Sequence, residues 1–170
     1  MWQLCRDAIL TRENMKKQKW PGAPICSFCR QVETNDHLFF TCNTSKVVWA
    51  VLATRMGANC VPKSFWQAMA WFHTFAPGCD KFYVVTIAAM CWKIWNVRNK
   101  IPFEKHIMRS PSEITFFSIS LLMYWAGLQK MEDKECLTGG VNKMMHAAKA
   151  VYARRAAAPA PGQMLMITGA

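Results

Sequence analysis

Cys26, Cys29, His37 and Cys42 are four side chains able to ligate a metal, set out as C-x2-C-x7-H-x4-C. Three thiolates and one imidazole form a closed tetrahedral set for Zn²⁺ that leaves no position for water, so the reading is a structural site and not a catalytic one. The Cys-x-x-Cys end brings two sulfurs to one ion from a single turn, and the step from His37 to Cys42 suits a following helical turn. Two other readings compete. A redox Cys-x-x-Cys normally opens a helix in a βαβ unit, whereas Pro21, Gly22 and Pro24 precede this one and no apolar run follows over 31–35. With 8 cysteines in the chain, four unliganded core residues are the blander alternative.

The elements that must position these ligands read as helices. A stripe of Trp2, Leu4, Cys5, Ile9, Leu10 and Met15 predicts a helix over 2–19, with Thr11 and Asn14 marking a point where it would divide in two. Lys16, Lys17 and Lys19 at its end suit the helix dipole, and Trp20-Pro21-Gly22 stops it. Asp36 is the expected cap of a short helix carrying His37 and Cys42, with Leu38, Phe39 and Phe40 facing away from the metal. Further helices are expected over 45–56, over 65–73 with Ser64 as cap, over 79–100 ahead of Pro102, and from Ser110-Pro111 to about Lys130. Pro77-Gly78 is a turn. A last helix is expected over 141–156. The sequence offers no strand pairs and no repeat. The fold class is mostly α: a small multi-helix domain with one structural zinc finger near the N-terminus. It divides into a leading helix and zinc module (1–60), a helical region packed on it (61–156), and an Ala/Pro/Gly-rich flexible tail (157–170).

Composition narrows the partners. Apolar residues make up 52% of the 170, with 8 Trp, 10 Phe and 12 Met, enough for a real core. Lys and Arg outnumber Asp and Glu by 21 to 10, and the excess is spread as +4 over 1–60, +5 over 61–110 and +2 thereafter. A net charge of +11 favours a polyanion, nucleic acid or an acidic membrane face; a basic surface without a ligand is the plainer reading. Arg6 and Asp7 interrupt the only apolar stretch at the N-terminus, so no signal peptide is expected. That implies an intracellular protein of nucleus or cytoplasm, not secreted, with reduced thiols. The uncharged run Ile114–Leu128 would cover only about 22 Å of a ~30 Å hydrocarbon layer. Membrane attachment is therefore not expected.

The segments Thr11–Lys17, Trp20, Cys26-x-x-Cys29, Glu33-Thr34-x-x-His37-Leu38-Phe39-Phe40-x-Cys42 and Val48-Trp49 together resemble a known module. It is the zinc-binding domain at the C-terminal end of plant LINE-type reverse transcriptases, downstream of the polymerase. Trp92–Lys100 resembles the tryptophan-and-arginine segment that follows this finger, and Trp125–Leu128 the end of such elements. The resemblance covers roughly residues 2–150. The chain shows no polymerase part and no paired-aspartate strand motif. The resemblance therefore implies a detached, non-catalytic retroelement fragment with one structural Zn²⁺.

In the parent family the finger is taken to grip RNA or DNA, which makes nucleic acid, single-stranded in preference, the first expected partner. Arg12, Lys16, Lys17, Lys19 and Arg30 are the candidate phosphate contacts around the finger, and Arg98, Lys100, Lys105 and Arg109 form a second cluster. Trp20 and Phe28 are able to stack on bases, although Trp20 as a hydrophobic staple under the finger is the stronger reading. Trp92 and Trp95, three apart on an apolar helix, are expected in the core. His73, His106 and His146 show no acid–nucleophile company. Cys5, Cys60, Cys79, Cys91 and Cys136 carry no assigned role. The competing class is a protein–protein adaptor using exposed aromatic and Met side chains.

Overall fold

The computed structural model describes residues 2–78, 80–108 and 110–157. Among these residues seven α-helices follow in order: α1 (Trp2–Cys5), α2 (Arg12–Lys17), α3 (Asn43–Met56), α4 (Phe65–Phe75), α5 (Asp80–Phe103), α6 (Pro111–Gly127) and α7 (Met131–Ala157). A π-helical turn, His37–Thr41, leads into α3. No strand is present among the described residues beyond a single antiparallel bridge, Ile25 to Val32. Cys79, Arg109 and the segment 158–170, including all but the first residue of the expected tail, lie outside the described residues.

The expected helix over 2–19 is divided at the Thr11 break. Asp7 takes a left-handed φ of 53°. Thr11 caps α2, its hydroxyl accepting from Asn14 N. The Asn14 amide then donates to the carbonyls of Asp7 at 2.8 Å and Ile9 at 2.9 Å, holding the intervening loop. Lys19, at φ 66°, ends α2. Trp20 folds over Gly22 so closely that a Cβ built there would lie 1.9 Å from the indole, which is why glycine occupies the position.

The body is assembled around aromatic and aliphatic packing. Trp49 on α3 is fully buried, stacks on Phe40 at 5.4 Å, meets Trp71 edge-on at 6.4 Å, and donates its indole N–H to Phe39 O at 2.7 Å. Gly57, at φ 67°, closes α3 in the left-handed conformation a helix C-terminus favours. Ser64 caps α4 by accepting from Gln67 N, and Ser110 with Pro111 opens α6. α3, α6 and α7 pack on one another, α5 lies against α6 and α4, and the π turn sits between α3 and α5. One continuous core runs from Leu4 to Ala148, so segments 1–60 and 61–156 share it.

Two helices differ from expectation. α5 continues past Pro102 to Phe103. The proline removes the donor that would reach Arg98 O, and beyond it the helix is closed by Glu104 N and His106 N, which donate to Lys100 O at 2.9 and 3.2 Å. α7 begins ten residues before the expected 141, at Met131, with Glu132 and Asp133 in its first turn complementing the dipole. Its buried residues Leu137, Val141, Met144 and Ala148 form one stripe against α3 and α6, and that packing outweighs the low helix propensity of Gly139-Gly140. Trp92, expected in the core, is 54% exposed, because its face of α5 lies outside the contacts with α4 and α6. Trp95 is half-buried, 6.5 Å from Phe39. No helix among the described residues is long and apolar enough to cross a membrane.

Candidate metal centre

The first two ligands sit on a knuckle closed by backbone bonds. Cys26 N donates to Gln31 O at 2.7 Å, and Arg30 N donates to Cys26 O at 3.0 Å with Arg30 left-handed at φ 63°. The tight reversal points Cys26 and Cys29 to the same side. His37 and Cys42 come from the π turn. Five residues apart on an α-helix they would diverge by about 140°, and the wider turn, closed by Cys42 N donating to His37 O at 2.7 Å, reduces that angle. Its N-terminus is capped by Thr34, whose hydroxyl accepts from His37 N at 2.9 Å. This corrects the expectation for Asp36, which makes no side-chain cap bond. As expected, Leu38, Phe39 and Phe40 turn the other way, into the core.

The three sulfurs and the His37 nitrogen all lie within 4.8 Å of one another. A zinc tetrahedron with ~2.3 Å Zn–S bonds has edges of about 3.8 Å, so the four atoms fit one ion without rearrangement of the chain. Cys26 is 1% exposed, Cys42 0% and His37 8%, so the set is closed to solvent on most sides. The hydrogen bond it shares with Cys42, and then burial, push the Cys26 thiol up, while the same bond lowers Cys42. Ligation takes both sulfurs as thiolates, so binding of a metal ion releases their protons. Burial lowers the His37 imidazole from its ordinary range, which favours the neutral form that ligates. Phe28 N, 3.4 Å from Cys26 Sγ, adds a donor toward the sulfur. The residues present fit one structural Zn²⁺.

A polar clamp surrounds the centre. Glu33 is fully buried beside the knuckle, and its carboxylate accepts from Arg12 N at 2.9 Å. Arg98 reaches it from α5, Nε donating at 3.0 and 3.2 Å to the two oxygens and Nη2 at 2.5 Å to Oε1. The guanidinium also lies 5.0 Å from the Trp95 ring and donates to Asn99 Oδ1. The Arg12 guanidinium braces the knuckle directly, donating to Ile25 O at 2.7 Å and Ser27 Oγ at 3.0 Å. Glu33 and Asn14 were the supporting residues that spacing alone does not reveal.

The clamp alters the list of phosphate contacts. Arg98, expected on a basic surface, is 3% exposed and bound in both directions by Glu33 and Trp95, so it is an internal brace and no surface contact. Arg12 is half-buried and held by the knuckle. Lys17 is exposed but lies 3.9 Å from Asp7 and 3.7 Å from Glu13. Lys16, Lys19, Arg30, Lys100 and Lys105 are exposed, and none makes an ion pair among the described residues. Arg109 lies outside the described residues. Trp20 is 37% exposed and Phe28 half-buried against the core. His106 pairs with Glu113 at 2.7 Å, and His73 and His146 are exposed. Cys91 is buried, where desolvation pushes its thiol up; Cys5 is half-buried, and Cys60 and Cys136 are exposed.

No curated protein and no solved structure matches the chain. Its first 49 residues do match a family model, for zinc-binding in reverse transcriptase. The matched span, 1–49, contains all four ligands, Glu33 and Trp49, so this part of the chain is similar to the zinc-binding module of reverse transcriptases and carries its one structural metal site.

Proposed function

We propose that this protein is a non-catalytic, zinc-stabilised nucleic-acid-binding module derived from the tail of a plant LINE-type reverse transcriptase, and that it takes single-stranded RNA or DNA in a nuclear or cytoplasmic setting. The observation that carries the reading is the division of labour among its cations. Arg12 and Arg98 brace the metal module from within, while Lys16, Lys19 and Arg30 stay on its surface without an ion pair among the described residues. Lys100 and Lys105 supply a second exposed group beyond α5. Unpaired cations are those able to replace the counterions condensed on phosphates, so affinity should fall steeply with salt. Trp20, held flat on Gly22 between Lys19 and the knuckle, offers a stacking surface.

Electrophoretic titration of single-stranded RNA and DNA at rising salt tests this. Lys16→Ala with Lys19→Ala should weaken binding uniformly across sequences and reduce the salt slope by about 1–2. No shift even at low salt sinks the reading. A second reading, a protein-binding adaptor, rests on the large apolar side chains left at the surface: Trp66 at 68% exposure, Phe103 at 80%, Ile107 at 81% and Met131 at 71%. It predicts a partner interaction that persists, or strengthens, in high salt.

A further inference from the structure

Four non-glycine residues among the described ones have a left-handed backbone: Asp7 at φ 53°, Lys19 at 66°, Arg30 at 63° and Lys105 at 53°. A Cβ disfavours that conformation. Glycine takes it freely, and aspartate and asparagine tolerate it through local hydrogen bonds. Asp7 is a residue of that tolerant kind. The other three are all cations, although Lys and Arg together make up only 21 of the 170 residues. All three are exposed, and none makes an ion pair among the described residues.

The chain carries its own control for this choice of residue, because α2 and α3 end in the same hydrogen-bonded motif. Trp20 N donates to Met15 O and Lys19 N to Lys16 O, both at 3.0 Å; Ala58 N donates to Ala53 O at 2.9 Å and Gly57 N to Thr54 O at 3.5 Å. The left-handed position is Gly57 at φ 67° after α3 and Lys19 at φ 66° after α2. A Cβ at Gly57 would meet nothing within 4 Å, so backbone conformation alone accounts for glycine there. The same demand at position 19 is met by lysine. The helix dipole does not explain the difference, since Lys16 and Lys17 already occupy the last turn of α2 and Lys100 that of α5. Arg30 follows the knuckle and no helix.

We infer that Lys19, Arg30 and Lys105 are held at these corners, against the cheaper glycine, as the contacts to the phosphodiester backbone of the bound strand. The inference rests on the nucleic-acid reading above and sets these three apart from the other exposed cations. A residue kept in a disfavoured backbone region where a better-suited one would fit marks a position at which function outweighs stability. The corners are also firm. Arg30 N is tied to Cys26 O at 3.0 Å, and Lys19 lies inside the closed end of α2, so each cation projects from a backbone that is already fixed. Contacts of this kind set the position of a strand and carry no base preference.

The test pairs thermal melting with a salt titration of labelled oligouridylate, using the zinc-loaded full chain. Lys19→Gly, Arg30→Gly and Lys105→Gly should each leave the melting midpoint unchanged or raised, with zinc stoichiometry unaltered. Each should weaken oligouridylate binding and lower the salt slope by about 0.7, the value for one phosphate contact on a single strand. Lys63→Gln and Lys130→Gln remove exposed cations whose backbone is not left-handed, and both should bind as the unaltered protein does. A lowered midpoint, or zinc lost from Arg30→Gly, would show that these residues serve the fold and would overturn the inference. Glycine variants that bind normally, or Lys63→Gln and Lys130→Gln weakening binding equally, would overturn it while leaving the nucleic-acid reading in place. An unaltered protein that binds no oligouridylate at low salt removes both.

Discussion

The metal module and the helical body are held together by different physics. Over residues 11–42 the chain has little regular structure, and its order comes from four metal ligands, backbone bonds around the knuckle, and the side chains of Thr11, Asn14, Glu33 and Thr34. From Asn43 to Ala157 the chain is nearly all helix, and its order comes from removing Trp49, Ile87, Met90, Ile94, Ile119 and Leu122 from water. The two meet at the π turn, whose His37 and Cys42 face the metal while Phe39 and Phe40 enter the core. A short irregular segment gains rigidity from a few directional contacts, each individually costly to lose. The body spreads its stability over many non-directional ones.

That contrast predicts unequal sensitivities. The largest is to the metal. Structural zinc in finger peptides contributes on the order of 10 kcal/mol or more of apparent folding free energy. Excess chelator, or Cys42→Ser, should therefore lower the thermal midpoint and open residues 20–36 to proteolysis while α5, α6 and α7 resist. Purified protein without zinc, melting identically with and without chelator, would remove the metal from the account. Next comes the clamp. Arg98→Met leaves Glu33 buried and unpaired and should cost about 3–5 kcal/mol in denaturant unfolding, with part of the loss recovered by adding Glu33→Gln. Additive losses in that pair would show that Arg98 acts through Trp95 packing and not through Glu33. The smallest of the three belongs to the body. Leu122→Ala should cost about 3 kcal/mol by leaving a cavity in the α6 core, without changing zinc stoichiometry. If the metal is lost as well, the two regions are coupled more tightly than their separate contacts indicate.

The ligand set was legible because metal coordination imposes residue type and spacing on a short stretch of chain. The caps at Ser64 and Ser110-Pro111 were legible for the same reason: each is a local solution to unsatisfied N–H groups. Glu33–Arg98 was not, since the partners lie 65 residues apart and neither has a neighbour that announces the other. Its charge, beside Lys100, Lys105 and Arg109 around the end of the long helix, placed Arg98 among phosphate contacts, when three-dimensional packing turns it inward. Trp92 went the other way, because a tryptophan on an apolar helix does not reveal which of its faces the neighbours cover. The first ten residues of α7 were missed through their polar sequence and paired glycines, although Leu137 continues the stripe of Val141, Met144 and Ala148 upstream.

The clamp also has a consequence in time. During synthesis the four zinc ligands are complete once Cys42 has emerged, but Glu33 must wait for Arg98, a further 56 positions beyond Cys42. At about 5–20 residues per second that is roughly 3–11 s. For that interval a nascent finger holding its metal would carry an unneutralised carboxylate beside the knuckle. Metal capture and docking onto α5 are thus separate events, and a ribosome stalled between them would display a loaded but undocked finger.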